Sequence, residues 1–497
     1  MLVEITIEDI LQEARTHRND IDETRLKRVF EYALANHACQ TRKTGDPYIT
    51  HSINIAHTLA SWRLDQLSIE AGLLHDLPEM SGITVHEIEK EFGPEVAQLV
   101  DGVNLVGQVR LRGSRDVEFL ENLRKMFVYM AKDLRAILVR LADRRHNIIT
   151  LEGLPIIKQR PIALETLEIY APLAGRLGMG KAKSELEDLV FPYVYPDEFK
   201  WVQQIAQPRI KYARENTPEI INRFRQQLSK HNIQAKVEGR PKHMYSLYRK
   251  LQRPSINFDI NLINDLMAIR IITVDTASCY SALGVIHQYW KPIPNLGISD
   301  FISQPKPNGY QSIHSKIFDN KGQIVEIQIR SEDMHTQAEF GAAAHFAYSQ
   351  AKTSGVIEEK LQKGTSFKIG SKYDWVKQLV GWKEQMFSEK EAVKDFKLDA
   401  LSQHIYVFSP LGDVYDLPEN ATPVDFAFTV HSDLGFFIQS VKINKKIAPI
   451  DAILKSGDIV EIVKTKYPKK PNKNWLRFVK TRKAKIEINK ALDASGT

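Results

Sequence analysis

The chain has 497 residues, 43% hydrophobic and 26% charged, an ordinary globular balance with room for roughly three domains at about 150 residues each. A net charge of +7 favours polyanionic partners, nucleotides or nucleic acid. Cys39 and Cys279 are the only cysteines, which excludes a disulfide scaffold and cysteine-based zinc modules and predicts a reducing, cytoplasmic setting.

The N-terminal stretch MLVEITIEDILQEARTH is acidic and amphipathic, so no signal peptide is expected. No run of about 18 apolar residues predicts a membrane span. Residues 1–195 read as helical: RLKRVFEYALANHA and VEFLENLRKMFVYMAKDLRAILVRLAD carry the helix period, with TGDPY and RGSRD marking loops. LSIEAGLLHDLPE reads as one apolar helix bearing His75 and Asp76, with Pro78 inside it, where a proline removes a backbone bond and kinks the helix. His51 lies in a polar loop leading into a helix, and Asp143 shares a helix with Asn147 one turn on. Two histidines and two carboxylates form a mixed N/O set suited to Mn²⁺, Fe²⁺ or Zn²⁺ that activates water. The alternative is a buried His–Asp hydrogen-bond network.

From about Ala235 the texture changes. LMAIRIITVD and HSKIFDNKGQIVEIQIR, with neighbouring helical patterns, predict a mixed sheet with helices on it over residues 196–350, with a hairpin turning at Asn320-Lys321-Gly322. In GRPKHMYSLYRK, Lys242, Ser246 and Lys250 recur every four residues. On a helix they share one face, and a face of ammonium groups suits a chain of phosphates. Asp265 and Glu326 are expected on strands or strand ends. Two carboxylates beside a phosphate face are what Mg²⁺-assisted transfer to a hydroxyl needs, one of them taking the hydroxyl proton. The bland readings are a helix-start residue for Asp265 and a cross-strand partner of Lys or Arg for Glu326. Tyr310 follows an Asn-Gly turn, which predicts an exposed ring available for stacking.

Residues 351–401 read as a Lys/Gly/Ser-rich loop followed by a helix around Trp375 to Lys390. Residues 402–466 predict a small β-rich domain, with strands in HIYVFSPLGDVYDLP, KINKKIAPI and GDIVEIVK and a helix in DFAFTVH. Residues 467–497 predict a basic C-terminal helix. From Lys464 to Lys485 there are ten Lys/Arg and no acid, with Trp475 and Phe478 interleaved, a pattern open to RNA contact or to a solvated helix.

His51, His75-Asp76 and Asp143 resemble the metal set of HD-domain phosphohydrolases. RKTGDPYITH, LLHDLPE, FGPEVAQLVDGV and RLADRRHN resemble, more narrowly, the hydrolase domain of the bifunctional RelA/SpoT (Rel) family, which makes and degrades (p)ppGpp. The resemblance implies Mn²⁺ on those four residues, Arg42, Lys43, Tyr48, Asn147 and Thr150 as (p)ppGpp contacts, and Glu79 and Asn147 in catalysis. The family's HDxxED reads here with Met80 in place of the last carboxylate, and its DGVTK reads Asp101-Gly102-Val103-Asn104-Leu105. GRPKHMYSLYRK, INDLMAIR, PKPNGYQSIHS, VEIQIR and DMHTQAEFGAAAHFAY resemble the same family's synthetase domain, an α+β nucleotidyltransferase-like fold. This implies pyrophosphate transfer from ATP to the ribose 3′-OH of GDP or GTP. Arg240 and Arg270 would then clamp adenine and Lys242, Ser246 and Lys250 hold ATP phosphates. Asp265 and Glu326 would bind Mg²⁺, with Glu326 the base. Lys306, Asn308, Tyr310, His314 and Gln328 would bind the acceptor, with His335 nearby. HIYVFSPLGDVYDLPENATPVDFAFTVHSDLG and LKSGDIVEIV resemble the TGS domain, a β-grasp module, which implies that His431 meets uncharged tRNA on the ribosome. The family's zinc-binding and ACT regions have no counterpart in these residues. The rival readings are a synthetase whose HD domain is only regulatory, and a tRNA or nucleotide sensor acting through TGS.

Overall fold

The computed structural model describes residues 5–108, 125–126, 128–129, 132–240, 242–254, 256–263, 266–294, 297–306, 309–343, 404–455 and 457–493. Asp265, Asn308 and the segment expected as linker loop and helix lie outside them. Contacts divide the chain into two compact units, one containing the described residues up to 343 and the other those from 404 onward. No described helix is long and apolar enough to cross a membrane.

The first unit begins with a helical half. The helices Ile49–Ser61 and Gln66–Leu74 lie against each other because Gly72 permits it: a Cβ there would meet Leu59 Cδ1 at 2.6 Å and Ile55 Cγ2 at 3.2 Å. Asp65 caps the second helix through the Ser68 amide. That helix stops at Leu74, with His75 as its C-cap. Asp76 then starts a separate short helix, Leu77–Met80, in which Pro78 occupies the first turn. The expected single helix with an internal, kinking proline is therefore corrected: Pro78 initiates the next helix, where its missing N–H costs nothing. The Arg135–Ile149 helix runs through the same core with Ile137, Leu138, Leu141 and Ala142 fully buried.

The helix Pro196–Lys230 leads into a five-stranded mixed sheet: β1 (Ala235–Arg240), β2 (Ala268–Thr273), β3 (Ser299–Asp300), β4 (Ile313–Phe318) and β5 (Ile324–Ser331), in the order β1-β2-β5-β4-β3. Within this sheet only β2 and β5 pair in parallel, with the Thr276–Tyr289 helix, β3 and β4 between them along the chain, and β4–β5 is the expected hairpin, with Gly322 at φ +76°. Side chains alternate across a sheet. Val237, Ile269, Ile271, Ile313, Ile327 and Ile329 face the core with Phe224, Cys279 and Ile286, so period two puts Glu238, Arg240, Arg270, His314, Glu326, Gln328 and Arg330 on the opposite face. Register completes the arrangement: Glu238 pairs with Arg270, Arg270 with Gln328, and Gln328 with His314, a single row across four strands.

The second unit holds the hairpin β6 (His404–Phe408) with β7 (Val414–Pro418), the helix Pro423–Val430, and β8 (Ile438–Ile443), β9 (Lys446–Ala448) and β10 (Val460–Lys464) in the order β10-β8-β9. Asn444 and Lys445, both at positive φ, turn β8 into β9. The basic tail differs from expectation. Its helix covers only Arg482–Asp493, and Trp475 and Phe478 pack, half-buried, on the core formed by Val424, Phe428 and Val460. Their apolar area stabilises more by closing this core than by standing free on a cationic helix.

Candidate functional site

In the helical half, four elements bring the expected metal ligands together. His51 Nε2 lies 3.4 Å from Asp76 Oδ2 and 3.3 Å from Asp143 Oδ1, and His75 Nε2 lies 3.1 Å from Asp76 Oδ1. The donor atoms of His51, His75 and Asp76 all fall within 4.8 Å of one another. His75 shows how the set suits a cation. Its Nδ1 hydrogen-bonds the Gly72 carbonyl at 3.0 Å, which places the proton there, while Nε2 is buried with no hydrogen-bond partner although a carboxylate stands beside it. A lone pair facing a carboxylate needs positive charge between them, and a divalent ion with mixed N/O ligands supplies it. Burial alone would raise Asp143, but Arg140 foremost, with His51, holds its carboxyl well below the usual range.

The residues expected to touch nucleotide here divide. Tyr48 donates to Asp76 Oδ2 at 2.8 Å, and Thr150 caps its helix by donating to the His146 carbonyl. Lys43 is exposed. Arg42 faces inward: its Nη1 lies 2.8 Å from the Nδ1 atoms of both His51 and His146, which are themselves 2.8 Å apart, and its Nη2 donates to Asn147 Oδ1 at 3.0 Å. Asn147 in turn donates to Asp143 Oδ1. Arg42 and Asn147 thus orient the ligands in this arrangement. Glu79 is exposed on the short helix, with no hydrogen bond or ion pair among the described residues, and Met80 is 43% exposed. His146 was missed. It sits three residues after Asp143, one helical turn away, and that spacing was the available signal. Burial, then the neighbouring His51 and Arg42, pushes it down to about 3.

On the polar face of the sheet, His314 links two expected residues. Tyr310 and His314 Nε2 are 2.8 Å apart at the hydroxyl, and His314 Nδ1 is 3.1 Å from Glu326 Oε1. Burial lowers His314, so its ring is neutral near pH 7, with Nδ1–H toward the carboxylate and Nε2 accepting from tyrosine. Gln328 donates to the same Glu326 oxygen at 3.3 Å. Lys306 lies over the Phe301 and Tyr310 rings at 4.4 and 5.1 Å, and burial lowers its ammonium. Tyr310 is half-buried by these neighbours, which corrects the expectation of an exposed ring.

The phosphate-binding pattern is also corrected. The helix is Met244–Leu251 and His243 is its N-cap, so Lys242 lies before the helix, and only Ser246 and Lys250 share a helical face. Asp188, from the Gly180–Val194 helix, accepts from the Tyr245 amide at 2.9 Å and pairs with His243 at 2.8 Å. Arg240 ends β1, exposed. Arg270 is 12% exposed at its side chain and is held by Glu238 at 3.1 Å and Glu339 at 3.0 Å. Arg330 meets His335 and Glu339, both at 2.8 Å. Glu238, Glu339 and Arg330 were missed. Period two from Glu326 leads to Arg330, and four residues on a helix lead from His335 to Glu339. In the second unit, His431 is the C-cap of its helix with a side chain 70% exposed.

Three family models match the chain: an HD domain over residues 30–180, a region found in RelA/SpoT proteins over 239–353, and a TGS domain over 405–464. Curated relatives align along nearly its whole length. The guanosine-3′,5′-bis(diphosphate) 3′-pyrophosphohydrolase of Aquifex aeolicus is 38% identical over 99% of this chain and 68% of its own. The bifunctional (p)ppGpp synthase/hydrolase SpoT of Escherichia coli is 37% identical over 98% and 67%. The GTP pyrophosphokinase of Myxococcus xanthus is 42% identical over 93% and 59%. The chain thus spans about three fifths to two thirds of the length of these relatives.

Proposed function

The chain belongs to the RelA/SpoT family, and on that premise we propose that its sheet half moves the β,γ-diphosphate of ATP to the 3′-OH of GDP or GTP while its helical half removes the same diphosphate from (p)ppGpp. The observation that carries the synthetic reading is the Tyr310–His314–Glu326 chain on the polar face. A carboxylate oriented by a neutral imidazole accepts the 3′-hydroxyl proton. The freed oxygen bonds to the β-phosphorus, and the bond to the α,β-bridging oxygen breaks, releasing AMP. The Tyr310 ring, its hydroxyl tied to His314, stacks on guanine, with Lys306, Asn308 and Gln328 beside it. Lys242, Ser246 and Lys250 take the ATP phosphates, and Arg240 and Arg270 the adenine. Asp265 and Glu326 would hold Mg²⁺, which neutralises charge developing on the transferred group.

In the helical half His51, His75, Asp76 and Asp143 would hold Mn²⁺, which makes hydroxide available near neutral pH. Arg42 and Asn147 keep His51 and Asp143 oriented, and Tyr48 fixes Asp76. Glu79 acts on the attacking water, and Lys43 and Thr150 approach the nucleotide. One observation favours a second reading, synthesis alone with a regulatory helical half: Met80 stands where the family carries a carboxylate, beside Glu79, which makes no hydrogen bond or ion pair among the described residues. Through His431 the second unit would contact uncharged tRNA on the ribosome, and the protein would work in the cytoplasm.

Chromatography separates these readings. ATP and GDP with Mg²⁺ should yield ppGpp and AMP, a product that Glu326→Gln removes. ppGpp with Mn²⁺ should yield GDP and pyrophosphate, lost only in His75→Ala. No ppGpp in the first assay refutes the synthetic reading; no GDP in the second leaves synthesis alone.

A further inference from the structure

Arg270 lies on the polar face of the sheet with both terminal nitrogens engaged. Nη1 is 3.1 Å from Glu238 Oε1, its register partner on β1, and Nη2 is 3.0 Å from Glu339 Oε1, on the Glu332–Phe340 helix. Guanidinium N–H groups lie in the plane of the group, so the hydrogen bond from Nη1 to Glu238 fixes one edge, while the Glu339 carboxylate pairs with Nη2 by charge and restrains the group from the neighbouring helix. A cation held in this way presents a face to an aromatic base with little freedom left to lose on binding.

Glu339 is itself fixed from several sides. It accepts from Arg330, which is 1% exposed, and burial, which alone would raise its carboxyl, is outweighed by Arg270 and Arg330, so that it stays below the usual range. Its helix is seated on the helical half. Arg63 donates to Thr336 Oγ1 at 3.0 Å and lies over the Phe340 ring at 5.1 Å, and the Ala342 amide donates to the Leu177 carbonyl at 2.8 Å.

We propose that Glu339, through its ion pair with Nη2, and Glu238, through its hydrogen bond to Nη1, are positioning residues that together hold Arg270 for stacking on the purine of the nucleoside triphosphate donor. This rests on the reading that the donor's adenine lies against Arg270. The two carboxylates never touch the reacting atoms; they act through arginine alone, on donor binding and base selectivity.

The test uses the full chain and two donors, ATP and ribose 5-triphosphate, which lacks the base. Glu339→Gln should raise KM for ATP about fivefold to tenfold, the scale of a stacked cation. KM for GDP, kcat and the KM for ribose 5-triphosphate should not move, so the preference for the base-bearing donor collapses. Glu339→Asp should restore part of it. Glu238→Gln, at a half-exposed strand position, should repeat the effect and answers the question if Glu339→Gln does not fold. Equal increases for both donors, or a rise in KM for GDP, would mean a merely structural role and overturn the proposal. Arg270→Ala tells the two levels apart. If it leaves the preference for ATP intact, the adenine reading fails; if it abolishes the preference while both glutamine variants retain it, only the positioning role fails.

Discussion

Asp425 is fully buried in the second unit and accepts five hydrogen bonds. Oδ2 takes the Thr422 amide and hydroxyl, both at 2.8 Å. Oδ1 takes the Lys480 amide at 2.8 Å and the Thr481 amide and hydroxyl at 2.6 and 2.9 Å. One carboxylate thus caps the helix leading to His431 and ties the basic tail to it. In Asp425→Ala three backbone N–H groups lose their acceptor. At about 1–3 kcal/mol for each buried donor left unsatisfied, and with some water entering the gap, the cost is about 3–6 kcal/mol. Asp425→Asn keeps the shape. Its oxygen can serve the tail, and its amide can donate to the Thr422 hydroxyl but faces the Thr422 amide with another donor, so about 2–4 kcal/mol is lost. Hydrogen exchange followed by mass spectrometry reads this directly in the peptide around residues 478–490. For the asparagine variant, protection should fall roughly 30-fold to 1,000-fold, each 1.4 kcal/mol being a factor of ten, and further for alanine. Unchanged exchange in that peptide, or an alanine variant as protected as the asparagine one, would refute the argument that Asp425 fastens the tail.

Burial first, then the Arg330 and Arg270 charges, push His335 down to about 4 from 6.5. Below about pH 6.5 the unfolded chain takes up a proton that the folded chain refuses. Stability is therefore complete above that pH and falls toward pH 4, by about 1–2 kcal/mol after solvent screening; urea melts at pH 7 and 4.5 should differ less in His335→Gln. Gly341 has φ +49°, and a Cβ there would stand 2.3 Å from the Leu177 carbonyl oxygen and 2.4 Å from the Gly178 carbonyl carbon. Backbone cannot yield as a side chain does, so Gly341→Ala should cost about 2–4 kcal/mol and lower the melting temperature, and an unchanged melt would contradict the close seating of that segment. Met80→Asp, at a half-exposed position, should change stability by less than about 0.5 kcal/mol while raising Mn²⁺-dependent ppGpp hydrolysis; an unaltered rate would show that Met80 does not limit it.

Period and motif carried much of this protein. The apolar alternation of β2, β4 and β5 predicted a sheet because branched side chains suit a pleated, half-buried surface, but that Arg270, Glu326 and His314 share one face came from the observed register. His51, His75, Asp76 and Asp143 were read as a candidate metal set, and the structure gathers them, with His51 inside the helix Ile49–Ser61 rather than in the polar loop expected before it. Local chemistry was harder to read where two rules competed. Pro78 reads equally as a helix breaker or a helix starter, and only the end of one helix at Leu74 and the start of the next at Leu77 decided between them. Lys242 kept the four-residue spacing of a helix that had not yet begun. What no spacing contained was partnership across distance. Arg42 turned inward to His51 and His146, Glu339 came from the end of another helix to pair with Arg270, and Asp425 reached the tail 55 residues away. Hydrogen bonds and ion pairs depend on distance in space, which the chain acquires only once its helices and strands have packed, so the sequence determined which groups were available and the tertiary structure decided which of them meet.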